Sequence, residues 1–461
     1  MLFSSIPFLF YFLPVVLAVY FLVPLAWRNA VLLAFSLLFY AWGEPRYVIL
    51  MIFTILLFYI CGIAIEKSGS RKGRRVWLAV SAVISVALLG IFKYADFFIG
   101  SLNSVAGTDL PFLRLALPIG ISFYTFQCLS YTIDVYRGTV AAQKNLISFG
   151  AYVALFPQLI AGPIVRYVDV AQQLEYREHS VDQAMLGARR FLIGLSKKIL
   201  LANQFGQLTE IFRSSAEKSV LFYWLYAVAF MLQIYFDFSG YSDMAIGLGK
   251  IFGFHFPENF DYPYLSRSVT EFWRRWHMTL GGWFRDYVYI PLGGSRVSRL
   301  RWVFNILVVW MLTGLWHGAA WNFVLWGLLY AVFLLLEKWT NGIHKLPGIL
   351  RHSYVLLVVL LGFVLFNAAD LAQAAEDIGG LFGVGGKPLV SAESLYYLRS
   401  YGILLALGIL GATPVVRRAA VRLSEKRLGA VAESGALILL LIICCAYLVD
   451  GSFNPFLYFR F

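Results

Sequence analysis

The chain has 461 residues, of which 60% are hydrophobic, 17% aromatic and 14% charged. Apolar runs near twenty residues recur from end to end, the pattern of a polytopic helical membrane protein, whereas a β-barrel would show short alternating segments. The formal charge of +13 sits in short loops between these runs, as in cytoplasmic loops, and does not mark a nucleic-acid-binding surface.

In chain order, hydropathy predicts spans at roughly 6–25, 29–42, 47–65, 76–94, 115–135, 146–164, 185–203, 219–237, 302–317, 321–337, 354–367, 400–412 and 434–449. That gives about eleven to thirteen transmembrane helices, with re-entrant or interfacial helices at 240–254 and 270–292. The first stretch, Ile6 to Leu25, has no basic n-region before it and no small-residue cleavage site, so it reads as a retained span. Four loops are rich in Lys and Arg: Lys67 to Arg75, Arg296 to Arg301, Lys338 to Arg351, and Arg417 to Arg427. All four are assigned to the cytoplasm. The loops at 95–114 and 368–398 are poor in both and go outside, which puts both termini outside the cytoplasm. Cys61, Cys128, Cys444 and Cys445 lie in apolar runs without metal spacing and read as small buried hydrophobes. With no internal repeat and no low-complexity linker, a single membrane domain is expected over 1–461. Its parts would be peripheral helices at 1–110, a catalytic core at 111–340, C-terminal helices at 341–450 and an aromatic tail at 451–461.

Two motifs, LPIGISFYTFQ (117–127) and LFPQLIAGPIVRY (155–167), place Pro and Gly inside apolar runs. Such breaks persist at membrane depth only where protein or a water-filled cavity satisfies the freed backbone groups, so their expected role is structural. In YFDFSGYSDMAIG (235–247), Asp237 reads as the cap of a helix break. Asp243 is open between a cap and the lining of a substrate cavity. The segment FWRRWHMTLGGWFRDYVYIPLGG (272–294), taken as a helix, puts Trp273, Trp276 and His277 on one face and Arg274 and Arg275 on neighbouring faces. Composition favours an interfacial amphipathic helix with snorkelling arginines. The sharper alternative is a catalytic helix whose Arg274, Arg275 and Trp276 hold an anionic donor.

About forty residues beyond His277 comes LTGLWHGAAWN (312–322), with His317 between two apolar runs. An ionisable side chain at membrane depth costs free energy and usually faces a cavity. His317 is either a packed core imidazole or a general base, with Asn322 as an orienting partner and Gly318 to Ala320 allowing close approach. The final residues, FNPFLYFRF (453–461), read as an aromatic anchor at the outer interface. The sharper reading makes Tyr458 an acyl carrier, a phenol that needs a base to become a good nucleophile.

Together with YTIDVYRG (131–138), FPQLIAGPI (156–164) and GLWHGAAWNFVLWG (314–327), these blocks resemble the membrane-bound O-acyltransferase (MBOAT) family in family order. Within it they resemble the alginate O-acetyltransferase type, over roughly residues 1 to 340. The resemblance implies an all-α fold, a ring of helices around a central tunnel from a cytoplasmic donor side to an outer acceptor side. It implies that His317 is the catalytic residue and His277 the second active-site residue. The tail is similar to the C-terminal aromatic motif of related acyl-export systems, including those that D-alanylate teichoic acids, which implies that Tyr458 accepts the acyl group and passes it outward.

The expected activity is transfer of an acyl group, acetyl foremost, from a cytoplasmic thioester across a bacterial cytoplasmic membrane. Acetyl-coenzyme A and an acyl carrier protein both fit as donors. His317 would deprotonate the acceptor hydroxyl, while His277 and nearby arginines position the thioester and its developing oxyanion. No bound cofactor and no metal is expected, since no ligand cluster appears. The expected partners are the lipid bilayer, an extracytoplasmic SGNH-type esterase-like enzyme and a polysaccharide as final acceptor. One rival is a transporter or flippase for a glycan or lipid-linked sugar, which leaves the two histidine blocks without a purpose. The other is a transferase that acylates a protein or lipid directly, without a relay.

Overall fold

The helices follow the apolar runs, and among the described residues the only β pairing is a single antiparallel bridge, Phe260 to Trp276. The computed structural model describes residues 1–340, 342–425, 428–451 and 457. Tyr458 therefore lies outside the described residues, as does the rest of the predicted aromatic tail except Gly451 and Leu457. By length and composition, nine of the described helices are able to cross a membrane. The chain is a multi-pass membrane protein. It divides into two compact units, Met1–Phe191 with Ser242–Pro257, and Leu192–Tyr241 with Glu258–Phe461.

The first unit opens with α1 (Phe8–Leu22), α2 (Leu25–Gly43), α3 (Val48–Lys67) and α4 (Arg71–Ala106). Phenylalanines fill its core, with ring centroids 4.9 Å apart for Phe3 and Phe8 and 5.4 Å for Phe12 and Phe156. After α5 (Ile121–Arg137), the run predicted as a span at 146–164 is broken into α6 (Leu146–Ala154) and the single turn α7 (Phe156–Leu159). Side chains satisfy the freed backbone. The Phe156 N–H donates to Ser36 Oγ at 3.1 Å, and Gln158 Nε2 donates to the Tyr152 carbonyl at 2.8 Å. Tyr152 OH and Gln127 Nε2 both donate to the Val165 carbonyl, at 3.2 and 3.3 Å. The Pro-Gly break is thus accommodated by protein, as an interruption at membrane depth requires. Next comes α8 (Tyr167–Glu175).

Helix α9 (Val181–Ser196) continues through a π-helical segment, Lys197–Ala202, into α10 (Asn203–Ser214). The following helix, α11 (Val220–Ile251), is unbroken for 32 residues. This corrects the predicted break after 237, the separate element at 240–254 and the capping role of Asp237. The carboxylate of Asp237 has no need of local backbone donors, because Lys198 Nζ stands 2.6 Å from its Oδ1. Gly240 permits that approach: a Cβ there would lie 2.8 Å from the Gly194 carbonyl oxygen.

The remaining elements are α12 (Val269–Arg275), α13 (Met278–Phe284), α14 (Arg299–His317), α15 (Trp321–Thr340), α16 (Gly348–Asn367), α17 (Leu371–Leu381), α18 (Ala392–Gly411), α19 (Val415–Ser424) and α20 (Gly429–Asp450). A second large core, rich in aromatics, joins α10, α11, α12, α15, α16 and α18. Cys61, Cys128 and Cys444 are buried free thiols, whereas Cys445, its neighbour on α20, is half-buried.

Candidate active site

His277 does not sit on a continuous helix. Helix α12 ends at Arg275, Trp276 is extended, and His277 adopts the left-handed region at φ 45° before α13 begins. Trp273, Trp276 and His277 therefore do not share one helical face, which corrects the sequence reading. Pairing with the segment before α12 replaces the helical bonds at this point. The Asp261 N–H donates to the Arg275 carbonyl and the Met278 N–H to the Asn259 carbonyl, each at 3.0 Å. A non-glycine residue held left-handed costs conformational energy that the surroundings must impose, and such residues cluster at functional sites. Glu337, buried near the end of α15, fixes the start of α12 by accepting from the Val269 and Thr270 N–H groups at 2.5 and 3.0 Å and from Thr270 Oγ1 at 2.7 Å.

Asn259 settles which nitrogen of His277 carries the proton. Its Oδ1 accepts from Thr279 Oγ1 at 2.9 Å and lies 3.1 Å from His277 Nδ1. With the amide oxygen facing it, Nδ1 must be the donor, leaving Nε2 as a lone pair. That Nε2 is buried and has no hydrogen-bond partner among the described residues. Burial pulls the imidazole down to a pKa of about 3, so it is neutral at physiological pH. In this state His277 accepts a proton or hydrogen bond through Nε2.

His317 is the last residue of α14 and is buried. Helices α14 and α15 form a hairpin whose backbones nearly touch. A Cβ on Gly314 would lie 2.3 Å from the Phe323 carbonyl oxygen, and one on Gly327 would lie 2.2 Å from that of Trp310. The space beside Gly318, expected to admit a substrate or another backbone, is taken by the Phe323 ring. The imidazole of His317 is enclosed by rings: Trp326 at 5.0 Å and Phe366 at 5.3 Å, both near perpendicular. Trp316 stands between the two histidines, its ring centroid 5.7 Å from His277 and 5.0 Å from His317. Phe238 packs edge-on against His277 at 4.7 Å. The structure thus brings together two histidines that the sequence separates by two helices and a loop.

The other predicted residues divide. Asn322 is buried and donates through Nδ2 to the Ala368 carbonyl at 2.9 Å, and its Oδ1 has no partner among the described residues. The buried Trp326 Nε1 has none either. A lone pair on His277 and an indole N–H on Trp326 are therefore polar groups within this aromatic box. Trp276 is buried and packs on Phe260 at 5.0 Å and Phe363 at 5.2 Å, a structural placement. Arg274 is exposed. Arg275 pairs with Glu271 at 3.0 Å and Asp261 at 3.3 Å. Asp243 belongs to the first unit, where it pairs with Arg190 at 2.9 Å.

Sequence reasoning missed a basic cavity of about 580 Å³, lined by Asp261, Tyr262, Arg275, Arg417, Arg418 and Arg422. The arginines of α19 are exposed and form no ion pair among the described residues. Asp261 and Arg275 belong to the same backbone pairing that carries His277, so the cavity adjoins the active-site loop. The signal in the sequence was the spacing of Arg418 and Arg422, one turn apart on a short amphipathic helix. Among the described residues, no group of His, Cys, Asp and Glu is arranged to hold a metal.

Comparison with known proteins gives the family. Residues 121–368, which contain both histidines, match the model of the membrane-bound O-acyltransferase family. The chain is 37% identical to a probable alginate O-acetylase of Azotobacter vinelandii over 100% of both chains. It is 32% identical to a peptidoglycan O-acetyltransferase of Helicobacter pylori, over 86% of this chain and 83% of that one. It is 29% identical to a teichoic acid D-alanyltransferase of Bacillus subtilis, over 54% and 67% respectively. A multi-pass helical chain with two buried histidines joined through one tryptophan, matched over its core and over its full length, is an acyltransferase belonging to the membrane-bound O-acyltransferase family.

Proposed function

We propose that the chain moves an acetyl group from a thioester on the cytoplasmic side of the bacterial cytoplasmic membrane to an acceptor outside. The final acceptor is a polysaccharide, reached through an extracytoplasmic SGNH-type partner, with Tyr458 as the intermediate carrier. The named substrates of the relatives support the acceptor class, since alginate, peptidoglycan and teichoic acid are all extracytoplasmic polymers. Both termini lie outside in this reading, because the Lys- and Arg-rich loops mark the inner face.

The observation that carries the reading is the enclosure of His277 and His317 around Trp316 in a buried aromatic box. There a histidine takes the proton from the acceptor hydroxyl as its oxygen attacks the thioester carbon. The C–S bond breaks, and the proton passes to the thiolate, so the thiol leaves and the acyl group stays on the acceptor oxygen as an ester. His317 is the base, and His277 accepts a hydrogen bond through Nε2 to orient the incoming group. The donor thioester, on coenzyme A or on the phosphopantetheine arm of a carrier protein, presents phosphate, which Arg275, Arg417, Arg418 and Arg422 complement in charge.

Intact mass after incubation with heavy-acetyl donor tests this, with Tyr458→Phe and His317→Ala in parallel. A mass increase in the parent that is absent from both variants is expected. A label that persists in Tyr458→Phe removes the tyrosine relay. Acetyl transfer without any label makes the enzyme a direct transferase. A glycan transporter would show no thioester-dependent reaction in any variant.

A further inference from the structure

Lys198 and Asp237 form an ion pair whose side chains are only 5% and 2% exposed. Burial of two charges is unfavourable unless good geometry and further hydrogen bonds satisfy the remaining lone pairs. Here the second carboxylate oxygen, Oδ2, accepts the backbone N–H of Leu457 at 2.8 Å. Leu457 is 4% exposed and belongs to the same hydrophobic cluster as Trp276, Phe323, Trp326 and Phe366. Two of these, Trp326 and Phe366, are ring neighbours of His317, and Trp276 directly precedes His277. Lys198 lies in the π-helical segment Lys197–Ala202, and α11 comes close to it only because residue 240 is glycine.

We propose that Lys198 and Asp237 are positioning residues that hold the chain at Leu457, the residue before Tyr458, and that the acyl relay depends on this hold. The inference rests on the relay reading above. Asp237 holds the backbone and not a side chain, so the device fixes the position of the chain at Leu457. Lys198 Nζ stands at Oδ1 of the carboxylate, and Oδ2 is the oxygen that accepts the Leu457 N–H.

The test uses the full-length protein carrying Leu457→Cys, with alkylation by a water-soluble maleimide measured by mass against the parent without that substitution. Two backgrounds remove the acceptor. One combines Asp237→Leu with Lys198→Met, replacing the pair by apolar residues and stranding no charge. The other is Asp237→Leu alone, which removes both carboxylate oxygens. In both, the introduced thiol is expected to react at least tenfold faster, and heavy-acetyl labelling of Tyr458, read in the same backgrounds with Leu457 intact, to fall at least tenfold. Elution and melting of the double variant should match the parent. A pair that serves folding alone predicts the opposite for the apolar double variant, namely full protection of the introduced thiol and full labelling, and that result overturns the proposal. So does slow alkylation in folded Asp237→Leu. If the parent itself never labels at Tyr458, the relay reading fails, whereas the alkylation rates still decide whether Asp237 holds the chain.

Discussion

Gly314→Ala puts the packing of the histidine hairpin to a direct trial. The added Cβ would stand 2.3 Å from the Phe323 carbonyl oxygen, where a carbon–oxygen contact takes about 3.3 Å. The obstruction is backbone, so no side chain can swing away, and α14 and α15 must part by roughly 1 Å. Overpacking of this kind costs about 1–3 kcal/mol, offset in part by the gain of about 1 kcal/mol from replacing a helical glycine by alanine. The net loss of stability is modest. The loss of activity should not be, because His317 lies one turn further along α14 and moves with it. A displacement of about 1 Å at a reacting group costs on the order of 100-fold in rate. Acetyl transfer from a heavy-acetyl thioester, followed by mass alongside thermal unfolding in detergent, should show roughly that 100-fold loss with a fall of only a few degrees in Tm. Gly435→Ala, where nothing lies within 4 Å of the new Cβ, is the control. If Gly314→Ala keeps the parent's activity, the hairpin does not set the position of His317.

Further outcomes follow from the same geometry. Glu337→Ala strands the Val269 and Thr270 N–H groups, each buried loss costing about 1–3 kcal/mol, so both Tm and activity should fall. Glu217→Ala, an exposed glutamate outside this cap, should leave both near the parent. His277 has an ordinary pKa of 6.5 when unfolded and about 3 when folded. The unfolded chain therefore binds the proton first, and stability drops as pH falls from about 6.5 toward 3, by about 1.4 kcal/mol per pH unit. Melting curves of His277→Asn should lose that slope, and an unchanged slope would place the titration elsewhere. Replacing Arg417, Arg418 and Arg422 by Ala should raise the KM for the thioester donor at least tenfold with kcat little changed, and an unchanged KM would remove the basic cavity from donor binding.

Much of the site was legible because its chemistry is improbable in hydrocarbon. His277 and His317 stand out as ionisable groups among apolar runs, and the interruption around Pro157 announces a backbone that other residues must satisfy. What hydropathy misses is long-range pairing. Helical periodicity runs on through Trp276 and His277 because nothing local in FWRRWH shows that residues 259–261 will pair with residues 275–278. Asp237 looks like a cap because local rules know only neighbouring backbone, whereas its partners are Lys198, on the preceding helical run, and Leu457, 220 residues later. The arginines of α19 read as a marker of membrane orientation, and their place beside Arg275 becomes visible only when the chain is folded.

Order of synthesis matters at the broken helix around Pro157. A chain emerging from the ribosome presents its N-terminal residues first, and an amide left bare in hydrocarbon costs several kcal/mol. The side chains described as bonding the backbone of Phe156 and Val165 belong to residues earlier in the chain, Ser36, Gln127 and Tyr152. These bonds of Phe156 and Val165 can therefore form as the segment enters the bilayer, against partners already made. Moving Ser36 or Gln127 behind this segment, as a circular permutation would, keeps each contact of the folded protein and still removes that advantage during insertion.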